Sequence, residues 1–236
     1  MEKFKNFASR QLRWIVYIKR YMYALFDHIL PPKSTYAQHN EDCEIEKLLD
    51  GFDIKTGIYI DIGANQPSYI SNTYLFYRKG FNGILVEPDQ SNLSLLKLFR
   101  NRDITIRTVV GSSSKLCKFN YAISSVLNSV QSIPKSSLLK QEYIPQITVD
   151  EIVNCVNPTW IYLLSTDTEG NDLDVLRSAN QTLKRTLLVC TEYHGKQEMS
   201  ALEMYLKENS FELVFSNHVN LIFRNQNFSE NLLENC

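Results

Sequence analysis

No glycine-rich phosphate loop follows the first apolar strand of this chain. A dinucleotide site needs glycines spaced as G-x-G-x-x-G so that the backbone can approach a pyrophosphate. Here Gly63 stands alone, and the positions after it hold Asn65, Gln66 and Pro67. Paired cysteines are lacking as well. The five cysteines, at 43, 117, 155, 190 and 236, are odd in number and form no C-x-x-C, which excludes a recognisable zinc or redox motif and points to a reducing compartment, the cytoplasm. Cys190 lies in an apolar run and reads as core packing rather than as a reactive thiol. There is no surplus of one charge: 25 basic residues against 26 acidic ones argue against nucleic acid as the main partner. Charges also interrupt every N-terminal apolar run before it reaches the length of a bilayer span or a signal-peptide core.

What is present suits one large α/β domain with appendages. Residues 1–20 form the exception to the even charge, with Lys3, Lys5, Arg10, Arg13, Lys19 and Arg20 against Glu2 alone. Trp14, Tyr17, Ile18, Tyr21, Leu25 and Phe26 recur at helical spacing among them. Two readings follow for residues 1–30: a basic amphipathic helix lying on the inner face of an anionic membrane, or a helix packed on its own domain or on a second subunit of a homo-oligomer. Pro31 and Pro32 end that helix, so 1–35 is an N-terminal extension and 36–226 the domain proper, followed by a polar tail over 227–236.

Within the domain, buried strands are predicted near 57–62, 83–87, 104–110, 160–166 and 186–192, with helices between them and a closing antiparallel pair at 211–216 and 219–224. Ser71 or Asn72 is predicted to cap the helix that Gly80 ends, and Thr148 with Glu151 spells a capping box. The region 112–147 breaks the pattern. It is serine-rich, contains Pro134 and Pro145, and offers one short strand at 117–123, so it reads as a variable insertion, either part of a lid or acceptor-binding region or a surface excursion.

In an open parallel sheet, ligands bind beyond the carboxyl ends of the strands. Those ends are polar here: Asp61, Gly63, Ala64 and Asn65 after the first strand, Glu87, Pro88 and Asp89 after the second, and Gly111 and Ser112 after the third. The fourth leads into Asp167, Glu169, Asn171 and Asp172, and the fifth into Glu192, Tyr193 and His194. Buried carboxylates cost several kcal/mol unless paired or ligated, so packing does not explain them. A cofactor with a ribose but no pyrophosphate fits, and S-adenosylmethionine is the commonest such molecule. Glu87 would accept the ribose hydroxyls, while Asp61 and the backbone at Gly63 would hold the methionine end. Asp167, Glu169, Glu192 and His194 form the candidate reaction centre. His194 is the natural general base for a hydroxyl; alternatively Asp167, Glu169 and Glu192 bind Mg²⁺, which lowers the pKa of a coordinated hydroxyl. Asp172 reads as the cap of the helix beginning near Leu173.

The run YIDIGANQPSYISNTYLFYRKGFNGILVEPD, from 59 to 89, resembles the FkbM family of S-adenosylmethionine-dependent methyltransferases. The segment from Tyr36 to Asp42 is similar to the family's Gln-x-x-Glu-Asp, the run from Ser165 to Gly170 to its Asp-x-Glu-Gly, and Glu192 stands where an acidic residue closes the fifth strand. The resemblance covers about 36–224. It implies a class I, Rossmann-like methyltransferase: a doubly wound, mostly parallel seven-stranded sheet with one antiparallel strand. It also implies O-methylation, often of a sugar in a glycan or secondary metabolite; a membrane-surface helix would suit a lipid-linked acceptor. Carried onto this chain, Asp61, Gly63, Asn65, Asn72 and Glu87 should contact the cofactor, and Asp167 and Glu169 should face the transfer site. The alternatives are an N-methyltransferase of the same fold and a non-catalytic cofactor-binding partner protein. An NAD-dependent oxidoreductase is disfavoured by the missing glycines.

Overall fold

The computed structural model describes residues 2–122 and 127–228, with side chains from Trp14 onward. Seven strands form one sheet in the order β3-β2-β1-β7-β8-β10-β9: β1 (Ile58–Ile62), β2 (Gly83–Val86), β3 (Ile104–Ile106), β7 (Ile161–Thr166), β8 (Thr186–Glu192), β9 (Phe211–Ser216) and β10 (Asn220–Asn225). Pairs β3-β2, β2-β1, β1-β7 and β7-β8 are parallel, whereas β10 runs antiparallel to both β8 and β9. The last strand is therefore inserted and reversed, which is the class I methyltransferase arrangement.

Alternation with period two divides the strands between two cores. Ile60, Ile62, Ile84, Val86, Val189 and Phe223 face α5 (Val149–Val156), α6 (Asp172–Arg177) and α7 (Lys196–Glu208). Tyr59, Leu85, Leu188, Cys190 and Ile222 face α2 (Glu41–Leu48), α3 (Tyr74–Arg78) and α4 (Gln90–Phe99). Cys190 is wholly buried, as packing required. The capping box at Thr148 and Glu151 is made in both directions.

Several local expectations need correction. The strand predicted over 104–110 breaks at Arg107 and Thr108, where the Thr108 hydroxyl donates to the Pro145 carbonyl at 2.8 Å. Its second half, β4 (Val109–Val110), leaves the main sheet and pairs with β6 (Leu138–Ile147), which also pairs with β5 (Lys115–Ala122). The insertion over 112–147 thus contributes two strands, β5 and β6, that complete a three-stranded sheet with β4. Thr73 stands at the cap position of α3 but makes no capping bond, since its hydroxyl is committed to Asp61. Ser71 Oγ instead accepts from the Tyr74 amide at 3.2 Å. Asp172 lies inside α6 and accepts from the Thr168 amide at 3.2 Å rather than capping the helix. Of the polar tail, Phe228 packs on Trp160 with ring centroids 5.3 Å apart, and residues 229–236 lie outside the described residues.

The extension is one helix, α1 (Glu2–Ile29). One face packs on α4: Ala24 is buried against Leu95 and Phe99, with Tyr17, Tyr21 and Leu25 around them. Arg78 fastens its end by donating to the Asp27 and Leu30 carbonyls. No helix among the described residues is long and apolar enough to cross a membrane.

Candidate active site

The sheet reverses its winding between β1 and β7, and the crevice opens there. Register lines up the strand ends: Ile62 pairs with Val86 and with Thr166, and Thr166 with Thr191. Gly63, Glu87, Asp167 and Glu192 therefore stand one residue beyond a common row. A cavity of about 270 Å³ lies against them. Asp61, Gly63, Ala64, Asn65, Asn72, Glu87, Pro88, Asp167, Glu169 and Glu192, all chosen from the sequence, line it. Gly111 does not: it sits in the second sheet, packed against Gln146 and Asp174. His194 is also outside the lining, behind Glu192 and Glu169 at 3.3 and 3.9 Å.

The turn after β1 brings backbone into the crevice. Gly63 has φ +87, and both it and Ala64 donate their amides to the Val86 carbonyl. Asn65 follows with φ 46, and its amide reaches Glu87 Oε2 at 2.8 Å. The other carboxylate oxygen accepts from the Asp89 amide at 2.6 Å. Asp89, not Glu87, caps α4, accepting from the Ser91 amide at 2.8 Å. Burial pushes Glu87 up to about 8, despite these two amides. The Asn92 side chain bonds it as well, and the four acceptor sites of a carboxylate leave room for a hydroxyl entering the cavity that it lines.

Asp61 is held from below. Its Oδ2 accepts from the Thr73 hydroxyl at 2.6 Å, and Thr73 in turn accepts from Arg100 at 2.9 Å. Arg100 is wholly buried, paired to Asp103 at 2.7 Å, bonded to the Tyr59 hydroxyl at 2.8 Å, and flanked by the rings of Tyr59, Tyr74 and Tyr77. Burial raises the Asp61 pKa, with the Arg100 charge opposing it. Nothing in the local sequence around Arg100 marks this role. It ends α4 and meets Asp61 only through the fold.

The opposite wall is acidic. Burial, and next the Glu192 charge, raises Asp167 well above the usual carboxylate range. Glu169 is pushed up to about 7 by burial and then by Asp167; burial takes Glu192 to about 7 as well. Glu169 adopts φ 55, and so does the cavity-lining Ile70. Positive φ at a glutamate and at a β-branched residue is local strain, which concentrates at functional sites. Glu169, Glu192 and His194 each offer a ligand atom within 4.8 Å of the others. Asp167 is not in that group, so the three carboxylates suggested for Mg²⁺ do not converge as a set. Two carboxylates with an imidazole suit a borderline cation better than Mg²⁺.

The insertion supplies a wall that the sequence suggested but did not specify. Phe119, Asn128, Ser129 and Val130 line the cavity. Asn128 donates to Asp89 at 3.2 Å and Ser129 to the Glu169 carbonyl at 3.1 Å, so the segment bridges the ends of β2 and β7. Gln38 enters the lining from the segment before α2. That segment is pinned by Asp42, which accepts from the Thr35 hydroxyl at 2.6 Å and the Tyr36 amide at 2.7 Å, and by Glu41, which accepts from Asn217 and Asn220. Its two carboxylates therefore build the wall rather than face the ligand.

A profile of the Methyltransferase FkbM domain matches residues 61–213. The chain belongs to the FkbM methyltransferase family. Among solved structures, it is similar to the FkbM methyltransferase of Methylobacillus flagellatus KT, with 16% identity over 72% of this chain and a TM-score of 0.51. It spans 44% of that protein's length. It is also similar in fold to the N-terminal domain of human METTL16 in complex with SAH, with 12% identity, 85% of this chain and 73% of that one covered, and a TM-score of 0.50. No curated protein matches the chain in sequence. The cavity at the end of β1 and β2 thus belongs to an FkbM methyltransferase domain.

Proposed function

We propose that this FkbM-family protein transfers a methyl group from S-adenosylmethionine to a hydroxyl of a sugar-containing acceptor, in the cytoplasm. The observation that carries the reading is Glu87: a buried carboxylate one residue past β2, fixed by two backbone amides and lining the cavity, beside the glycine turn after β1. The donor supplies an electrophilic methyl group on a sulfonium. Glu87 would accept its ribose hydroxyls, the backbone of 63–65 and Asn72 would bound it, and the Asp61 and Asp167 carboxylates would face its cationic end.

The residues then have to align an acceptor and take its proton. Gln38, Asn128, Ser129, Thr168 and Asn171 give the rest of the cavity an amide and hydroxyl lining that suits a polyhydroxy acceptor. Glu192 is the assigned proton acceptor, with His194 at 3.3 Å and 45% exposed as its outlet to solvent. Because an acceptor must be unprotonated, transfer should rise with pH through about 7 and then level, following the ionisation of Glu192, which burial raises to about 7. Glu192→Gln should slow transfer by roughly 10²–10⁴ with cofactor affinity retained. His194→Ala should cost no more than roughly tenfold under saturating substrate, and a loss equal to that of Glu192→Gln would make His194 the base itself.

The convergence of Glu169, Glu192 and His194 supports a second, metal-assisted reading. Inhibition by EDTA that an added borderline divalent cation, Mn²⁺ or Zn²⁺, reverses would establish that route and remove the free-base assignment. The primary test is calorimetric titration with S-adenosylhomocysteine. Micromolar binding is expected, and Glu87→Ala should weaken it by on the order of 1–3 kcal/mol, roughly 5- to 150-fold. Unchanged affinity in that variant would move the ribose elsewhere. Inertness on sugars but turnover of amines would replace O- with N-methylation, and binding without turnover on any acceptor would leave a cofactor-binding partner protein.

A further inference from the structure

The structure separates the apolar residues of α1 into two sets. Tyr17, Tyr21, Ala24 and Leu25 pack on α4, with Tyr21 and Phe99 at 5.3 Å between ring centroids. The others, Ile15, Ile18, Met22, Phe26 and Ile29, follow one another at intervals of three and four, and all are exposed, Ile15 by 62%. That spacing places them on one stripe, away from the packed face. Trp14 is 66% exposed and touches Tyr17, with ring centroids 6.2 Å apart, one turn before the row that packs on α4.

Charge selects what covers this stripe. The helix carries Lys3, Lys5, Arg10, Arg13 and Lys19 against Glu2 and Asp27, while Arg20 is turned to the domain and donates to Asn92. Asp27 is buried and paired to Lys33 at 2.5 Å. Two such helices placed face to face would bring an excess of positive charge together. An anionic lipid surface offers the opposite sign to the basic residues and an apolar layer to the stripe, with Trp14 suited to the interface.

We propose that the exposed stripe of α1 docks on an anionic bilayer surface, lying in its plane, so that the membrane and the catalytic cavity are held by one rigid body. The helix is fixed to the domain near the site. Arg20 donates to Asn92 at 2.6 Å, Asn92 donates to Asn65 at 2.9 Å, and the Asn65 amide reaches Glu87. Tyr23 stacks on Tyr69 at 5.6 Å, and the next residue, Ile70, lines the cavity. Docking would therefore set the orientation of the cavity relative to the lipid. The proposal stands independently of the acceptor and of methyl transfer.

The full-length protein carries its own reporter. Of two tryptophans, Trp160 is buried in the core, so a lipid-dependent emission change comes from Trp14. Vesicles of phosphatidylcholine with 30% phosphatidylglycerol, roughly the anionic content that attracts basic helices, should co-sediment the protein and shift the emission to the blue. Pure phosphatidylcholine should bind it at least roughly tenfold more weakly. The double variant Ile18→Glu/Met22→Glu alters only exposed positions and should keep the wild-type unfolding midpoint while losing binding by roughly tenfold or more. No binding to anionic vesicles overturns the proposal. So does binding that the double variant retains, which would mean adsorption through charge alone. A concentration-dependent dimer whose lipid-free emission is already blue-shifted also overturns it, in favour of a second copy on the stripe.

Discussion

Gly63→Ala should unfold the cofactor site and lower stability by about 2–5 kcal/mol, the sum of a left-handed backbone penalty and overpacking. Both contributions are visible. Gly63 holds φ +87, which a residue with a Cβ resists, and an added Cβ would stand 1.9 Å from the Asp167 carbonyl oxygen. That oxygen is main chain, and its strand cannot retreat, because the Asp167 amide is bonded to the Ile62 carbonyl at 3.0 Å. Moving either turn would also displace the amides that position Glu87 and the carboxylate of Asp167 itself. The control is Gly80→Ala. Gly80 has φ +97 but nothing within 4 Å of the added Cβ, so only the backbone penalty applies, about 1–2 kcal/mol. Urea unfolding of the two variants beside S-adenosylhomocysteine titration separates the effects. Equal destabilisation of the two would mean that the turn after β1 relaxes freely and that the close approach at Asp167 is unimportant.

The second large effect is expected at Arg100, far from any surface. Arg100→Met should destabilise the protein by about 3–5 kcal/mol, the usual cost of leaving a buried charge without its partner. Asp103 would lose its ion pair, Thr73 and the Tyr59 hydroxyl their guanidinium donor, and Asp61 the positive charge that offsets its burial. Cofactor affinity should fall with stability, because Thr73 would no longer be oriented toward Asp61. Adding Asp103→Asn to Arg100→Met removes the stranded carboxylate and should recover part of the loss, with a coupling of about 0.5–3 kcal/mol between the two sites. Equilibrium unfolding of the two single variants and the double variant measures it. Additive losses would show that the pair is not a unit, and a loss under about 1 kcal/mol in the single variant would show that Asp103 and Asp61 simply take up protons.

These two residues mark the boundary between what could be read and what could not. The turn at Gly63, the carboxylate at Glu87 and the acidic residues at 167, 169 and 192 are legible because each follows directly on an apolar strand. Strands buried on both faces announce themselves as short apolar runs, and ligands bind at their carboxyl ends whatever the helices do. The antiparallel closing pair was equally legible, since β9 alternates and the apolar run of β10 follows it after a short turn. The break after β3 was not. Ile104 to Val110 reads as one strand, and only the Thr108 bond to Pro145, 37 residues on, turns the second half into another sheet. β6 escaped for a related reason: Lys140, Gln141, Glu142 and Pro145 give it no apolar run, and its partners are β5 in the insertion and the broken-off β4.

The sequence by itself determined the sheet, the order of its strand ends and the list of side chains that crown them, because hydrophobic period and turn chemistry act over a few residues. Which of those side chains share a cavity was decided by register. The row from Ile62 through Val86, Thr166 and Thr191 brings Glu87 and Glu192 to the same crevice and leaves Gly111 in a neighbouring sheet and His194 behind the wall. Tertiary structure alone also buried Arg100 beneath Asp61 and split the helix at the N-terminus into a packed face and a bare one. Long-range contacts of that kind depend on the summed geometry of strands and helices, and no local stretch of residues encodes them.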